Sequence, residues 1–366
     1  MALSWIIAGG GTGGHVTPAL ALGELIAGRG DSVAFIGSQQ GLESRWVPAA
    51  GFELIALPSQ QVMGRKLLGR VVGLFRTLMQ VGRARSALLH RGADVVISVG
   101  GFAAVPAALA AWLTRTPLVL VEPNAIPGRV NRLSARVAQR IFVGFPEAAA
   151  ALAGYGERVV ESGVPLRSAL IEAFRAAPRR HRPHSPLRLL VFGGSQGARQ
   201  LNESMIALAG SLANSPLTIF HQTGEHDRER VSAAYASAGV EAEVVAFEPD
   251  MPSRYAWADV ALARAGALTV TELAMAGLPA LLVPYPYAAD DHQAANARAL
   301  ASAGAAVCLN SRPLDEEALS ATLSEIIEAP DQLTAMSRAA SQLAKPDAAT
   351  EIIRECAEWL EVRGAR

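Results

Sequence analysis

This sequence has few cysteines, few lysines and no net charge. Its two cysteines, Cys308 and Cys356, are too few and too widely spaced for a disulfide framework or a cysteine-based zinc site, which favours a reducing compartment. Lysine occurs only at Lys66 and Lys345, so arginine carries nearly all of the positive charge. The 33 basic and 33 acidic residues cancel, and this balance argues against a broad surface for nucleic acid.

Neither a secretion signal nor an uninterrupted membrane span is predicted from the sequence. Residues 1–14 have no basic segment, and their apolar run breaks at once into glycines, so we expect no signal peptide and a cytoplasmic protein. The uncharged stretch 95–114 is interrupted by Gly100, Gly101 and Pro106, where a spanning helix should be continuous. This stretch therefore predicts a strand, a glycine turn and a helix.

What the sequence has in quantity is apolar residues arranged as alternating strands and helices. With 366 residues, 51% of them hydrophobic, it is long enough for two domains with substantial cores. Residues 176–186 combine prolines with arginines and predict a linker, and residues 315–363 are helical in pattern. We therefore expect an α/β fold of two Rossmann-like, doubly wound parallel-sheet domains facing a cleft. The predicted strands are 5–8, 32–36, 94–99, 117–121 and 140–143 in the first half, and 188–192, 217–222, 242–247, 260–263 and 280–284 in the second.

Glycine loops follow the first strand of each half. Residues 9–15 (GGGTGGH) and 193–197 (GGSQG) let a ligand approach the backbone closely, and the helices that follow offer N–H groups to a phosphate. A second turn, Gly100-Gly101, should lie beside the first loop, with Glu122 and Asn124 on the next strand edge. A tight packing turn remains the alternative for the glycines, and an Asx turn for Asn124.

The second half carries further candidates for a sugar nucleotide. Residues 264–272 follow a strand and open a helix, so their backbone N–H groups suit a diphosphate, and Glu272 suits ribose hydroxyls or else the helix dipole. Residues 290–293 (DDHQ) suit sugar hydroxyls, while their spacing gives little reason to expect a metal. Arg167 could hold a diphosphate or be an ordinary surface arginine.

Several segments, taken in order, resemble one known family: GGGTGGHVTPALAL, SVGGF, EPNAIPG, GGSQGAR, YAWADVALARAGALTVTELAMAGLPALLVPYP and DDHQAANA. They are similar to the bacterial lipid-linked N-acetylglucosaminyltransferases of peptidoglycan synthesis, in glycosyltransferase family 28. The resemblance covers nearly the whole chain and implies the GT-B fold. It implies an acceptor and membrane-associating domain at 1–162, on which a C-terminal helix at about 344–366 packs, and a UDP-GlcNAc domain at 163–343. The implied reaction moves GlcNAc from UDP-GlcNAc to the C4 hydroxyl of MurNAc in lipid I, giving lipid II.

The resemblance also implies roles for individual residues. It places Ser195 and Arg167 near the donor diphosphate, Glu272 on the ribose and Gln293 on the GlcNAc, with Glu248 at a uracil contact made through the backbone. It places Thr12, Gly13, Gly14 and Asn124 at the boundary between donor and acceptor, where the glycine loops take the diphosphate of the acceptor. The segment beneath the donor diphosphate is implied to be Ala267, Leu268 and Thr269, and Val270 and Thr271 are implied to be further substrate-binding residues.

Inversion at the anomeric carbon requires a base, in-line attack and stabilisation of the departing UDP. His15, at a helix N-terminus, is our first candidate base and Glu122 the second. A helix N-terminus can stabilise the leaving group, so we expect no metal or other cofactor. The sequence departs from the family pattern at Val121, Pro123, Phe102 and Glu248, and Val121 and Pro123 exclude a histidine base from that segment.

The lipid acceptor requires a membrane face, and residues 65–85 provide a candidate. Apolar pairs recur there at helical spacing among arginines, which suits anionic headgroups, although a core helix with an arginine face is the alternative. We expect a peripheral protein on the cytoplasmic face of the cell membrane, with other cell-wall synthesis proteins as possible partners.

Three other functions remain open from the sequence. A nicotinamide-dependent oxidoreductase would use the same glycine loops, but the second strand ends at residues 36–38 without the acid that holds the ribose of NAD. An epimerase, or a transferase to another acceptor, would share the donor half. A non-catalytic membrane-docking protein would keep the GT-B fold without the activity.

Overall fold

The computed structural model describes residues 2–58, 67–176, 183–194 and 196–364, with side chains throughout these ranges except at 67–78 and 363–364. The chain divides into two compact units. The first is Met1–Ser168 together with Lys345–Arg366, and the second is Ala169–Ala344.

Each unit is built on one parallel sheet. The strands are β1 Ser4–Gly9, β2 Ser32–Ser38, β3 Glu53–Leu57, β4 Val95–Gly100, β5 Leu118–Glu122, β6 Arg140–Val143, β7 Val159–Glu161, β8 Leu187–Phe192, β9 Leu217–Gln222, β10 Ala242–Val245, β11 Val260–Ala263, β12 Ala280–Leu282 and β13 Ala306–Cys308. Among the described residues the first sheet has the order β3-β2-β1-β4-β5-β6-β7, and the second has the order β10-β9-β8-β11-β12-β13. Both orders step outward from a central strand and reverse once, which is the doubly wound arrangement.

Helices connect the strands. They are α1 Gly13–Gly28, α2 Glu43–Ala49, α3 Leu67–His90, α4 Val105–Thr114, α5 Arg129–Ser134, α6 Pro146–Ala151, α7 Ser168–Ala176, α8 Arg199–Leu212, α9 Arg228–Ala238, α10 Met251–Trp257, α11 Ala267–Ala276, α12 His292–Ser302, α13 Glu316–Glu328, α14 Gln332–Gln342 and α15 Ala348–Gly364. Short 3₁₀ turns lie at Phe102–Ala104, Ala153–Arg158, Glu225–Asp227 and Ala289–Asp291. No helix in these described ranges has the length and apolar character needed to cross a bilayer.

The first sheet is covered on both faces because its central strands are mostly apolar on both sides. Along β1, Ile6 and Ala8 pack towards α3 and α4, while Trp5 and Ile7 pack towards α1 and α15. This alternation is the two-residue period of a strand. The C-terminal helix α15 therefore supplies part of the core of the first unit, through Ile352, Ile353 and Cys356.

The second unit has a large hydrophobic core on one face of its sheet. Apolar residues of β8, β9 and β11 pack against α8, α9 and α13, and Leu189, Val191 and Leu262 are completely buried there. The carboxyl ends of β8, β11 and β12 then lead into the loops that carry the candidate donor residues.

The observed fold confirms the prediction of two Rossmann-like parallel sheets and adds detail that the sequence did not predict. Strands β3, β7 and β13 are additional, and all three are short and stand at or next to a sheet edge. The first unit reaches Ser168, beyond the predicted boundary at 162, because residues 162–166 are buried and Gly163 packs against Lys345 and Ala348. The predicted linker at 176–186 follows α7 within the second unit, and its residues 177–182 lie outside the described part of the chain.

Candidate functional site

The first glycine loop is held by a buried glutamate. Glu43, at the start of α2, is 1% exposed and accepts hydrogen bonds from Gly11 N at 2.9 Å and from Ser38 N at 2.8 Å. It thus ties the loop after β1 to the end of β2. Glu43 was not among the predicted site residues, although it is an acid shortly after the second strand. Its carboxylate binds the protein backbone there.

His15 lies in the first turn of α1, as predicted. Thr12 is the N-cap residue, but its side chain makes no capping hydrogen bond to α1 and lies 3.1 Å from His15 Nδ1 instead. Gly13 and Gly14 open the helix, so backbone N–H groups at this end are not covered by a side-chain cap.

The second glycine turn lies directly against the first loop. A Cβ atom at position 101 would stand 2.4 Å from the carbonyl oxygen of Gly10 and 3.4 Å from His15 Nδ1, and Gly101 has a φ of +79°. The register between β1 and β4 shifts at this point, where Gly9 pairs with Gly100. Only glycine allows this approach, so the two loops and the imidazole of His15 form one cluster.

Glu122 organises the loop that follows β5. Its Oε1 accepts from Asn124 N at 3.0 Å and from Asn124 Nδ2 at 3.3 Å. Its Oε2 accepts from Gly128 N at 2.8 Å and from Asn131 Nδ2 at 2.9 Å. Burial raises the pKa of Glu122, and these four donors act in the opposite direction. With both oxygens engaged, the geometry favours a positioning role for Glu122 over that of a base, and Asn124 is held as a loop residue beside it.

Asn131, a second residue not predicted from the sequence, connects Glu122 to the His15 cluster. Its Nδ2 also donates to Val121 O at 3.1 Å. A Cβ atom at position 100 would lie 3.3 Å from Asn131 Nδ2 and 3.5 Å from His15 Nε2. The glycine turn at 100 therefore leaves room for both side chains, and sequence spacing carries no signal for this convergence.

The glycine loop of the second unit is packed just as tightly. A Cβ atom at Gly197 would lie 1.8 Å from Thr223 O, and one at Gly224 would lie 2.2 Å from Gln196 O. Gln222 Nε2 also donates to Gly194 O at 3.0 Å. Ser195, predicted at the donor diphosphate, lies outside the described residues.

A row of buried, hydrogen-bonded side chains supports this glycine loop. Asn202 Nδ2 donates to Thr223 O at 3.0 Å and to Asp227 Oδ2 at 2.8 Å, so its Oδ1 accepts from His221 Nε2 at 3.1 Å. The other ring nitrogen of His221 then accepts from the Tyr235 hydroxyl at 2.9 Å. Burial lowers the pKa of His221 to about 3, which keeps the imidazole neutral in this arrangement.

Helix α11 presents its N-terminal backbone as predicted. Gly266 is the N-cap residue and supplies no side chain, so the first N–H groups, at Ala267, Leu268 and Thr269, have no side-chain cap. Thr271 Oγ1 donates back to Ala267 O at 2.8 Å, and the side chain of Val270 is fully buried. These two predicted residues therefore have side chains committed to the fold.

Glu272 stands on the second turn of α11, bonded to a residue not predicted from the sequence. Tyr255, 1% exposed, donates its hydroxyl to Glu272 Oε2 at 2.7 Å. Burial raises the pKa of the partly buried Glu272 to about 7, although the bond from Tyr255 lowers it. Glu272 is thus an unusually basic carboxylate, as at many functional sites.

Other predicted side chains already have protein partners. Gln293 Oε1 accepts from Tyr285 N at 2.9 Å. Glu248 accepts from Asp250 N at 2.8 Å and from Arg254 Nε at 2.7 Å, so its side chain serves its own loop. Arg167 donates to Glu24 Oε1 through Nε at 2.9 Å and through Nη2 at 2.6 Å. Its role at the diphosphate stays a prediction.

Asp291 and His292, which precede Gln293, also have protein partners. Asp291 forms an ion pair with Arg312, and His292 Nδ1 donates to Ala289 O at 2.7 Å. Within the described ranges there is no group of three or more histidine, cysteine or acidic residues arranged to hold a metal ion.

Comparison with known proteins assigns the family. The glycosyltransferase family 28 N-terminal domain matches residues 5–143, and the family 28 C-terminal domain matches residues 188–352. The chain belongs to glycosyltransferase family 28. A family 28 relative from Anaeromyxobacter sp. (strain Fw109-5) is 43% identical over 363 residues, covering 98% of this chain and 94% of the relative. A second, from Alkalilimnicola ehrlichii, is 41% identical and covers 98% of this chain and 99% of the relative. Both are named UDP-N-acetylglucosamine--N-acetylmuramyl-(pentapeptide) pyrophosphoryl-undecaprenol N-acetylglucosamine transferase.

Solved structures agree with this family 28 assignment. The crystal structure of MurG from Acinetobacter baumannii is 31% identical with a TM-score of 0.82, covering 97% of this chain and 99% of that one. A UDP-GlcNAc 2-epimerase from Neisseria meningitidis, bound to UDP-GlcNAc, has a TM-score of 0.67 at 14% identity, with coverage of 98% and 100%. The second likeness is one of fold alone.

Proposed function

We propose that this family 28 chain transfers GlcNAc from UDP-GlcNAc to the C4 hydroxyl of MurNAc in undecaprenyl-pyrophosphoryl-MurNAc-pentapeptide, converting lipid I to lipid II. The observation that carries the proposal is the identity of 41–43% across both domains to relatives named for this transfer. The epimerases of similar fold share only 13–14% identity with the chain, which argues against that alternative.

The second domain supplies most of the donor subsite in this proposal, with Arg167 of the first unit as the exception. The N–H groups at the start of α11 bind the diphosphate, as favoured by the helix dipole, and Glu272 accepts from the ribose hydroxyls. Gln293 Oε1 is engaged by Tyr285 N, so Gln293 meets GlcNAc through its Nε2 donor. Ser195 and Arg167 are proposed at the same diphosphate, which would require Arg167 to exchange Glu24 for the ligand.

The first domain supplies the acceptor subsite and the base. Thr12, Gly13, Gly14 and Asn124 line the loops proposed to take the acceptor diphosphate. His15 removes the proton from the C4 hydroxyl, and the hydroxyl oxygen forms the new bond to the anomeric carbon. The bond from that carbon to UDP breaks, and its electron pair leaves with the diphosphate. Because fixed N–H dipoles at the start of α11 stabilise the negative charge on the departing diphosphate, the proposed step requires no metal.

The test is UDP release from UDP-GlcNAc, measured with and without a short-chain lipid I analogue. We expect release to depend on the analogue, and His15→Ala to lower kcat by about 10²-fold or more while UDP-GlcNAc binding persists. Thr114→Ala, a change on α4 away from the loops, serves as the control. Release that is independent of the analogue contradicts the transfer, and near-native turnover of His15→Ala removes the assignment of the base.

We also propose that the first domain docks on the cytoplasmic, anionic face of the cell membrane. The apolar residues of the predicted segment 65–85 lie largely outside the described side chains, but α3 continues to an exposed Met79. Helix α4 packs along α3 and exposes Leu109, Trp112 and Leu113. Arg83 and Arg85 are exposed on α3, and Arg115 is exposed directly after α4. Tryptophan beside arginine suits the boundary between headgroups and acyl chains.

Vesicle flotation tests this docking surface. We expect the protein to float with vesicles that contain anionic phospholipid, and the double variant Trp112→Ser, Leu113→Ser to lose most of that binding. Tyr287→Ser removes an exposed aromatic residue of the second domain and is the matched control. Equal flotation of the double variant and the control would refute this surface.

A further inference from the structure

The hydroxyl of Tyr255 points at the carboxyl group proposed to bind the donor ribose. Tyr255 lies on α10 and is buried against the rings of Phe174 and Phe192, with centroids 5.8 Å and 5.7 Å away. This packing fixes the phenol, whose hydroxyl reaches Glu272 Oε2 at 2.7 Å on the neighbouring helix. A tyrosine that is 1% exposed would be replaceable by phenylalanine if only its apolar packing mattered.

We propose that Tyr255 is a positioning residue of the donor site, which holds Oε2 of Glu272 so that the carboxylate faces the ribose hydroxyls of UDP-GlcNAc. The inference rests on the proposed function, because it takes Glu272 to be the ribose ligand. A carboxylate has about four acceptor positions, of which Tyr255 occupies one. Oε1 and the second lone pair of Oε2 remain for the two vicinal hydroxyls.

The hydrogen bond has a second consequence, for the charge of Glu272. Burial raises the pKa of this carboxyl to about 7, and a donated O–H opposes the rise because it stabilises the ionised form. Helices α10, α12 and α14 pack against α11 and carry Arg254, His292, Arg298 and Arg338. Of the described side chains, only Tyr255 affects the pKa of Glu272. Tyr255 therefore helps to keep Glu272 ionised, the form that accepts hydroxyl donors best.

Calorimetric titration of the full chain with UDP-GlcNAc between pH 5.5 and 9 tests the proposal. In the wild type we expect affinity to rise with pH through a midpoint near 7. In Tyr255→Phe the pKa of Glu272 is higher, so we expect the midpoint to move up by about one pH unit, the effect of one lost hydrogen bond to a charged group. Affinity at pH 7 should fall several-fold and recover at high pH, and KM should rise with little change in kcat.

Tyr155→Phe is the control, because it removes a tyrosine hydroxyl from the 3₁₀ turn Ala153–Arg158 of the first unit, outside the donor domain. We expect this control to keep the wild-type midpoint. If Tyr255→Phe does not fold, fluorotyrosine at position 255 retains the shape with a more acidic hydroxyl, and it should move the midpoint down.

The outcomes separate the two proposals. Weakened binding in Glu272→Gln together with an unmoved midpoint in Tyr255→Phe or in the fluorotyrosine protein overturns the positioning role and leaves the ribose assignment standing. Wild-type binding by Glu272→Gln at every pH overturns the ribose assignment and the positioning role with it.

Discussion

Two buried glutamates of the first unit act on backbone N–H groups instead of on charged partners. Glu43 binds the glycine loop after β1, and Glu122 binds the loop after β5. In each case a carboxylate replaces water as the acceptor for N–H groups that a sharp turn leaves unpaired. The shape of the loops around His15 therefore depends on two acids that carry no catalytic step in our proposal.

Replacing Glu122 by glutamine tests this view. In Glu122→Gln one acceptor oxygen becomes an NH₂ group that faces N–H donors, so we expect the free energy of unfolding of the first unit to fall by about 2 kcal/mol or more. Urea unfolding measures the loss. Glu147→Gln, on the exposed first turn of α6, is the control and should cost under about 0.5 kcal/mol. Equal stability of the two variants would show that the four hydrogen bonds contribute little.

The sequence predicted where these residues stand along the chain but not which side chains they contact. His15, Glu122, Asn124 and Glu272 follow strands and glycine turns, and that placement can be inferred from pattern alone. The role of Glu122 depends on Asn131, and the charge of Glu272 depends on Tyr255. Such partners come from other helices, and sequence spacing contains no information about which side chains will meet.

At the scale of elements, the strands within clear apolar runs were predictable, and the edge strands β3, β7 and β13 were not. β12 has only three residues but lies in the apolar run 280–283, whereas β7 and β13, equally short, stand in no such predicted run. The C-terminal stretch was predicted as almost wholly helical. The structure divides it at Pro330 and Pro346, which stand between α13, α14 and α15, because proline and the residue before it disfavour a continuing helix.

The glycine loop of the second unit allows a prediction with an internal control. Gly194 and Gly197 both have positive φ, +97° and +76°, but only at Gly197 would an added Cβ atom meet another segment. Gly194→Ala should cost about 1–2 kcal/mol for the backbone conformation alone. Gly197→Ala adds a clash with Thr223 O, so we expect it to weaken UDP-GlcNAc binding more than tenfold or to unfold the second unit.

Calorimetry and urea unfolding of both variants measure the difference. Similar losses in Gly194→Ala and Gly197→Ala would mean that the contact between the loop and residues 223–224 is not required.

At the scale of the whole molecule, the chain leaves the first unit at Ser168 and returns at Lys345. The returning segment is held by contacts between residues distant in sequence. Gly163 lies against Lys345 and Ala348, and α15 packs on α1. The resemblance to family 28 anticipated a returning helix, but no local pattern marks residues 162–166 as part of the first unit. Their burial depends on a segment nearly two hundred residues later.

The two units should accordingly respond differently to a change in α15. Ile352 is completely buried in the cluster that contains Trp5 and Ile7, so Ile352→Ala should destabilise the first unit by about 3 kcal/mol through lost burial and a cavity. Glu351→Ala, one residue earlier and exposed, should cost under about 1 kcal/mol. Urea unfolding followed by tryptophan fluorescence in a Trp257→Phe background reports on the first unit, because Trp5, Trp46, Trp112 and Trp359 all lie there, and calorimetry with UDP reports on the second. Because Glu272, Gln293 and the start of α11 all lie in the second unit, Ile352→Ala should keep its affinity for UDP within about twofold at low urea, where both units remain folded. A parallel loss of UDP binding would mean that donor binding depends on the returning helix, and the division of labour between the two units would then be wrong.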